Sequence, residues 1–324
     1  VDYLLQSPED RAGALSFGQG KTPPPPIWAY NRVVQLPDLL EAARLLEERP
    51  TAQLPPRLRH IERGLEPRTS MGGARPKNVV EDDQAIWVAK FPQRKDRWNN
   101  AVVEAAMLAL ARRCDIQTPL TRIERVPDGD VLLVQRFDRE RLTGTERRYL
   151  RHRMVSALTV LDADDSGADL QNWSYALLAD ELGRWSSRIK SDRAELFRRM
   201  VFNALVSNTD DHPRNHALVA PGREWQLAPA YDITPDPLPG RHDRDLAMVC
   251  GRYGRRARRI NLVSHAPRFG LSVEAAQEVV DRMVHIVRAE WEREVRRHGA
   301  SEADCAMVAP AILDEGFEYG MEEA

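Results

Sequence analysis

Residues 201–237 read VFNALVSNTDDHPRNHALVAPGREWQLAPAYDITPDP. The apolar opening belongs to a helix predicted over 193–206. A polar loop follows, Asn208-Thr209-Asp210-Asp211-His212-Pro213-Arg214-Asn215. Two short β runs, Leu218-Val219 and Trp225-Gln226-Leu227, then flank Pro221-Gly222 and predict a hairpin. Ala230-Tyr231-Asp232-Ile233 closes the stretch. Kinase-type phosphoryl-transfer sites use this order: a base aspartate, an asparagine five residues on, and a second, metal-binding aspartate beyond a hairpin. Asp210 and Asn215 have that spacing, and Asp232 stands where the second aspartate belongs. The chemistry explains the residue types. One carboxylate orients and deprotonates a hydroxyl; an amide oxygen and another carboxylate are hard ligands for Mg²⁺ on ATP phosphates. Each fragment alone is ordinary turn chemistry, so the order carries the reading. Asp211 is a rival for the base, and His212 for a metal ligand. With no second His/Cys cluster at metal spacing, a zinc site is not expected, and His212 is expected to orient a loop carboxylate.

The rest of the chain sets the frame. At 324 residues it exceeds the usual single-domain size, so two lobes are expected. A net charge of −2 gives no global basic field for nucleic acid. No apolar run approaches the roughly 20 residues that cross a bilayer, and no signal peptide is read at the start. The three cysteines, Cys114, Cys250 and Cys305, are too few and too far apart for a disulfide framework, which suits a reducing cytoplasm.

Pro23 to Pro26 form a stiff spacer. Pro37-Asp38 opens a helix with Leu39, Leu40, Ala43 and Leu46 on one face, ended by Pro50. Pro55 to Ser70 reads as a polar, basic loop. Asn78–Val80 and Ala85–Ala89 predict strands joined by Glu81-Asp82-Asp83, and Val131–Val134 predicts another after Pro127-Asp128-Gly129. Asn100–Arg113 is a predicted helix. From about Arg148 helices dominate, at Tyr175–Ser187, Arg193–Val206, Ser272–His298 and Ser301–Glu315, the last two opened by serine caps. The predicted fold class is α+β and two-lobed, with a mixed lobe over 1–136 and a mainly helical lobe over 137–324. Ala89-Lys90 ends an apolar strand as the kinase lysine does, and Glu104 lies on the helix that follows. Gly72-Gly73-Ala74-Arg75-Pro76-Lys77 is a small-residue loop whose N–H groups suit phosphate, although it is no Walker motif. The run Arg252, Arg255, Arg256, Arg258 and Arg259 reads as a solvated or internally paired face, with a phosphate-rich partner as the functional alternative. Trp173, Trp291 and the stripe Val279, Val280, Met283, Ile286, Val287 read as packing.

Taken together these motifs resemble the HipA-family kinases, the toxin halves of HipBA toxin–antitoxin pairs. The resemblance covers Asp10 to about Met248. "DRAGALSF" (Asp10–Phe17) is similar to the end of the family's N-terminal subdomain, "SMGGARPK" (Ser70–Lys77) to its phosphate loop, "WVAKFP" (Trp87–Pro92) to its ATP-lysine strand and "LLVQRFDR" (Leu132–Arg139) to its hinge. It implies a kinase-like fold using ATP and Mg²⁺. Asp210 would be the base, Asn215 and Asp232 the metal ligands, Lys90 the α/β-phosphate lysine and Glu104 its partner. Gly72, Gly73, Ala74 and Lys77 would line the phosphate loop, and the backbone around Gln135-Arg136-Phe137 would receive adenine. Ser70 matches the serine that autophosphorylates in the family and shuts the enzyme down. The resemblance further implies a protein substrate, an aminoacyl-tRNA synthetase in the best-known members, and a HipB-like DNA-binding antitoxin through which nucleic acid would be met only indirectly. The family usually has a longer N-terminal subdomain, so here that subdomain is expected to be shortened. Two other readings use the same residues: a small-molecule phosphotransferase of kinase-like fold, and a silent module that holds an antitoxin.

Overall fold

The computed structural model describes residues 10–18, 20–21, 30–48, 54–58, 61, 75–142, 149–165, 170–237 and 244–320. Ser70, Gly72, Gly73, Ala74 and the proline run at 23–26 lie outside the described residues. The chain divides into two compact units, residues 1–101 with 119–154, and residues 102–118 with 155–324. This differs from a single boundary at Arg136. The stretch 102–118 belongs to the second unit, and 137–154 to the first.

The first unit is built on a five-stranded sheet of order β1-β2-β3-β5-β4. Its strands are β1 (Asn31–Arg32), β2 (Lys77–Glu81), β3 (Ile86–Lys90), β4 (Thr121–Val126) and β5 (Gly129–Gln135). β1 joins β2 in parallel, and the other pairs are antiparallel. The acidic turn between β2 and β3 holds because Asp82 Oδ1 accepts the N–H groups of Gln84 and Ala85, both at 2.9 Å. Helix α1 (Leu36–Glu48) buries Leu36, Leu39, Leu40 and Ala43. These join Trp87, Ala89, Val131 and Leu133, alternate residues of β3 and β5, in one core. Leu54, just before the segment expected as a polar loop, and Leu58 and Ile61 within it enter the same core. β4 has no counterpart in the sequence reading. It is an edge strand of half-exposed residues, and its charges Arg122, Glu124 and Arg125 mask the period. The same holds for the small pair β6 (Arg139–Arg141) and β7 (Tyr149–Arg151).

The second unit is mainly helical. Among its elements are α2 (Asn100–Arg113, from residue 102), α3 (Ala157–Val160), α4 (Tyr175–Trp185), α5 (Ile189–Leu205), α6 (Arg259–Val263), α7 (Val273–Arg297) and α8 (Glu302–Val308). Ser272 caps α7 through the N–H of Ala275, and Ser301 with Asp304 makes the capping box of α8. α8 stops at Val308, short of the predicted end, because Pro310 cannot continue the ladder and the chain tightens into a 3₁₀ turn, Ala309–Ala311. The predicted hairpin is present as β9 (Ala217–Ala220) and β10 (Gln226–Leu227). β8 (Arg153–Ser156) extends it to three strands where helix alone was expected. α7 buries Val280, Met283 and Val287, as its stripe requires. A tight turn at 250–256 is fastened by the fully buried Asn261. Its Nδ2 donates to the carbonyls of Gly254 (3.1 Å) and Arg256 (2.9 Å), and its Oδ1 accepts from the N–H of Tyr253 (2.8 Å). Any Cβ at Gly251 would lie 2.0 Å from the Asn261 carbonyl oxygen.

Residues 10–16 run as a strap over the first unit, and arginines hold it. Arg136 donates to the carbonyls of Asp10 and Arg11, Arg139 to those of Arg11 and Gly13, and Arg151 to those of Gly13 and Leu15. Asp138 is the counter-charge. It pairs with Arg136 and Arg139, each at 2.7 Å, and accepts the N–H of Gly13 at 2.8 Å. Gly13 has φ +80°, and a Cβ there would press on the Met154 backbone at 3.2 Å. Burial alone would raise the Asp138 pKa, but the charges of Arg136 and Arg139 outweigh it and hold the carboxyl below its ordinary value. A depressed carboxylate stabilises the fold above its unfolded pKa, about 3.9, and that stabilisation fades as pH falls through the folded value. Asp138→Asn should therefore cost about 3–5 kcal/mol at neutral pH, since it strands two buried cations. Melting curves of the two proteins should converge below about pH 4; a gap that stays constant down to pH 2 would contradict the assignment.

Candidate functional site

The acidic loop is held at both ends. Ser207, directly after α5, has φ +50°, and its Oγ donates to the Ala311 carbonyl at 2.6 Å. The buried Arg244 donates to Ser207 Oγ and, at 2.6 Å, to the Pro310 carbonyl, and its Nε lies 3.2 Å from Asp314. Leu313 N–H donates to Leu205 at 2.8 Å. The segment 309–314 thus braces the end of α5. Two residues after Ser207, Thr209 Oγ1 donates to Asp236 at 3.0 Å, tying the loop to the chain beyond Asp232.

Within the loop the two adjacent aspartates face different environments. Asp211 is buried, and its Oδ2 accepts from Tyr175 Oη, from Asn203 Nδ2 at 2.7 Å and from His216 Nε2 at 2.7 Å. Asn203 Oδ1 in turn accepts from Asn208 Nδ2 at 3.0 Å. Burial and the Asp211 charge raise the Tyr175 phenol pKa well above its usual value, so the tyrosine is a fixed O–H donor. Asp210 is exposed instead. Its backbone carbonyl receives the His212 N–H at 2.8 Å and Asn215 Nδ2 at 3.1 Å. Partial shielding raises the Asp210 pKa. His212 opposes that shift, while the charges of Asp232 and Asp211 add to it. Asp210, not Asp211, is therefore the carboxylate open to a reactant.

Asn215 is buried and presents its amide oxygen once Nδ2 is spent on Asp210. Asp232 has φ +61°, a left-handed backbone that aspartate enters more readily than most residues. Asn215 Oδ1 and the Asp232 carboxylate form a hard, oxygen-only donor set. Asp232 and Asp211 also place negative charge beside Asp210, which a cation would relieve. These features fit Mg²⁺, which takes few protein ligands and completes its shell with water and phosphate. Among the described residues no three His, Cys, Asp or Glu side chains gather into a closed metal cage.

Three residues of this site were not singled out from sequence: Tyr175, Asn203 and His216. Asn203 carried a readable signal, since an amide inside the apolar run Met200–Leu205 must be buried and must find a partner. His212 does not orient a loop carboxylate by hydrogen bonding; His216 does. The His212 ring instead stands edge-on to Trp173, with centroids 6.4 Å apart. Its backbone is anchored at both ends, the N–H donating to the Asp210 carbonyl and the carbonyl accepting the Asn215 N–H, each at 2.8 Å.

In the first unit, Lys90 ends β3, directly opposite Lys77 at the start of β2. Side chains facing each other across such a pair share one face, so both lysines lie on the same side of the sheet. Arg75, just before Lys77, forks onto Asp96 at 2.7 and 3.0 Å and fixes that end of the expected phosphate loop. The N–H groups of Gln135 and Arg136 donate to the carbonyls of Leu120 and Ile86, both at 2.9 Å. Neither can therefore donate to adenine, and the expectation for Gln135 narrows to its other atoms. Phe137 follows at the turn after β5. Glu104 is buried on α2 in the second unit.

The arginine run is largely spent inside the fold. Arg258 is buried and donates to the Gly320 carbonyl, Arg259 pairs with Asp281 and Glu318, and Arg255 pairs with Asp245 at 3.6 Å. No helix among the described residues is long and apolar enough to cross a membrane. Arg244→Met should loosen the brace at the end of α5. It should cost about 3–5 kcal/mol and raise amide exchange over 205–209 and 309–314; exchange confined to 309–314 would show that the loop does not depend on it.

Comparison with known proteins places the chain by family and fold. The HipA-like C-terminal domain profile matches residues 69–291. Y4dM of Sinorhizobium fredii, provisionally named a kinase, is 27% identical over 235 residues, which are 66% of this chain and 54% of that protein, so the match spans about half of its length. The HipA of Shewanella oneidensis MR-1, solved in a toxin–antitoxin complex with HipB and operator DNA, superposes with a TM-score of 0.70 at 19% identity, covering 94% of this chain and 74% of that one. The Helicobacter pylori proinflammatory kinase CtkA gives a TM-score of 0.47 at 13% identity, over 76% and 94% of the two chains. The fold is thus the HipA-type α+β fold, and the chain belongs to the HipA-like family.

Proposed function

We propose that this chain is an ATP- and Mg²⁺-dependent serine/threonine protein kinase, the toxin partner in a HipBA-type pair. One observation carries the reading. The acidic loop buries Asp211 under three donors and leaves Asp210 exposed, with its backbone carbonyl tied to Asn215. That is the arrangement a hydroxyl nucleophile needs. Asp210 takes a hydrogen bond from the substrate hydroxyl and receives its proton as the oxygen attacks the γ-phosphorus. The bond from that phosphorus to the β–γ bridging oxygen breaks, and ADP leaves. Asn215 and Asp232 would hold Mg²⁺, which when bound supplies neutralising charge to the phosphates. Lys90, with Lys77 opposite it on the sheet, would neutralise further phosphate oxygens.

A HipB-like antitoxin is proposed as the partner on the strength of the fold neighbour, which was solved together with HipB and operator DNA. Nucleic acid would then be met through the antitoxin, which suits a chain of net charge −2. Ser70 is proposed as the site of self-modification.

The test is transfer from labelled ATP-Mg²⁺, with and without cell extract, followed by mapping of the label. Label on Ser70 and on a serine or threonine of an extract protein is expected. Label on an added alcohol or sugar, with none on protein, would overturn the protein-kinase reading; no ATP turnover would overturn the kinase itself. Asp210→Asn should cut transfer by about 10²–10⁴-fold with an unchanged circular-dichroism spectrum. Lys90→Met should do so chiefly through weaker ATP binding.

A further inference from the structure

We infer that Tyr175 is a positioning residue for the proposed phosphoryl transfer: through Asp211 it anchors the acidic loop so that Asp210 is presented outward. The inference rests on the assignment of Asp210 as base, and it concerns α4, an element outside the stretch from Asn203 to Asp232.

Asp210 and Asp211 are consecutive residues of one tight turn, in which Asp211 is buried and Asp210 exposed. Holding the Asp211 side chain inward restrains the shared backbone that presents Asp210. Asp211 is fixed from three separate places. Tyr175 is the first residue of α4, Asn203 lies near the end of α5, and His216 directly precedes β9. All three donors converge on the same oxygen, Oδ2. Hydrogen bonds to a carboxylate are stronger than neutral ones, and a buried carboxylate that loses a donor has no water to replace it. The donors also brace one another. Asn203 Nδ2 lies 3.3 Å from Tyr175 Oη, and the rings of Tyr175 and His216 meet edge-to-face with centroids 5.6 Å apart. Tyr175 is itself locked. It is fully buried, Ser174 caps its helix, and its N–H donates to the Val249 carbonyl at 3.1 Å. The phenol thus adds no reactive group. It supplies a rigid post on α4 from which the base is aimed.

A residue that aims the base should affect turnover and leave nucleotide binding alone. Tyr175→Phe keeps the packed ring and deletes only the O–H. At a temperature well below melting, kcat per bound ATP should fall about 10- to 100-fold. The KM for ATP should change much less than kcat, because of the groups assigned to phosphate and metal only Asn215 lies in this loop. Hydrogen exchange should rise over 207–216, with α5 and α7 unchanged. Asp211→Asn, which weakens the acceptor and keeps the shape, should show the same pattern. Unchanged kcat and unchanged loop exchange in Tyr175→Phe would overturn the inference. So would a loss of kcat that simply follows the folded fraction. Should the wild-type chain transfer no phosphate, the kinase reading fails by itself; exchange confined to 207–216 would still support the anchor, and its absence would remove it.

Discussion

A carboxylate removed from water must be given donors, and the second unit is organised around three such carboxylates on or beside α5. Asp192, in the first turn, accepts Ser186 Oγ at 2.6 Å and the N–H of Leu227 at 2.8 Å, which ties the hairpin to the start of the helix. Glu195, one turn on, pairs with the buried Arg199, and Arg199 donates to the Ala228 carbonyl at 2.6 Å. Asp211 lies past the far end and gathers Tyr175, Asn203 and His216. Asp192, and Glu195 through Arg199, hold the chain at 227–228 against α5, and Asp211 ties the acidic loop to its far end, so the helix is the fixed body from which the hairpin and that loop are hung. Apolar burial makes α5 central, while the buried charges set what lies next to it. Breaking any of these pairs would leave a charge without a partner, which is a stronger constraint than a lost packing contact.

Where a structural demand left a local mark, the sequence was legible. The β2–β3 turn is explained by Asp82, whose side chain mimics a turn, and the starts of α7 and α8 by serines that accept the first free N–H groups. Asp210, Asn215 and Asp232 were singled out by their spacing and by the resemblance of the surrounding motifs. Less legible was everything set by distant partners. β4 and β6 are strands because neighbours pair with them, although their arginines and glutamates hide the period. The partner of Asp211 could not be fixed from sequence, since the nearer histidine, His212, is not the one that bonds it; His216, five residues on, is. Only the fold sends one ring inward and the other against Trp173. Likewise, the pairing of Arg255 and Arg259 depends on acids at 245, 281 and 318.

The two candidate lysines show the same division. Lys90 stood out as the charged end of an apolar strand. That Lys77 lies opposite it follows only from the register, in which Lys77 faces Lys90 and Glu81 faces Ile86. A slip of one residue would turn Lys77 to the other face of the sheet. The acidic turn at 81–83 therefore sets more than a hairpin. It decides which two cations share a face.

The strap at 10–16 bears on how this protein can be shortened. Its carbonyl oxygens are the acceptors for Arg136, Arg139 and Arg151, and its Gly13 N–H completes the shell of Asp138. Residues 10–16 contribute little apolar surface, and a trimming scheme guided by hydrophobicity would discard them. Doing so would leave guanidinium groups facing a dry interior with one carboxylate among them. The usable N-terminal limit of any shorter version thus falls before Asp10, and it is set by the hydrogen-bond needs of residues more than a hundred positions downstream.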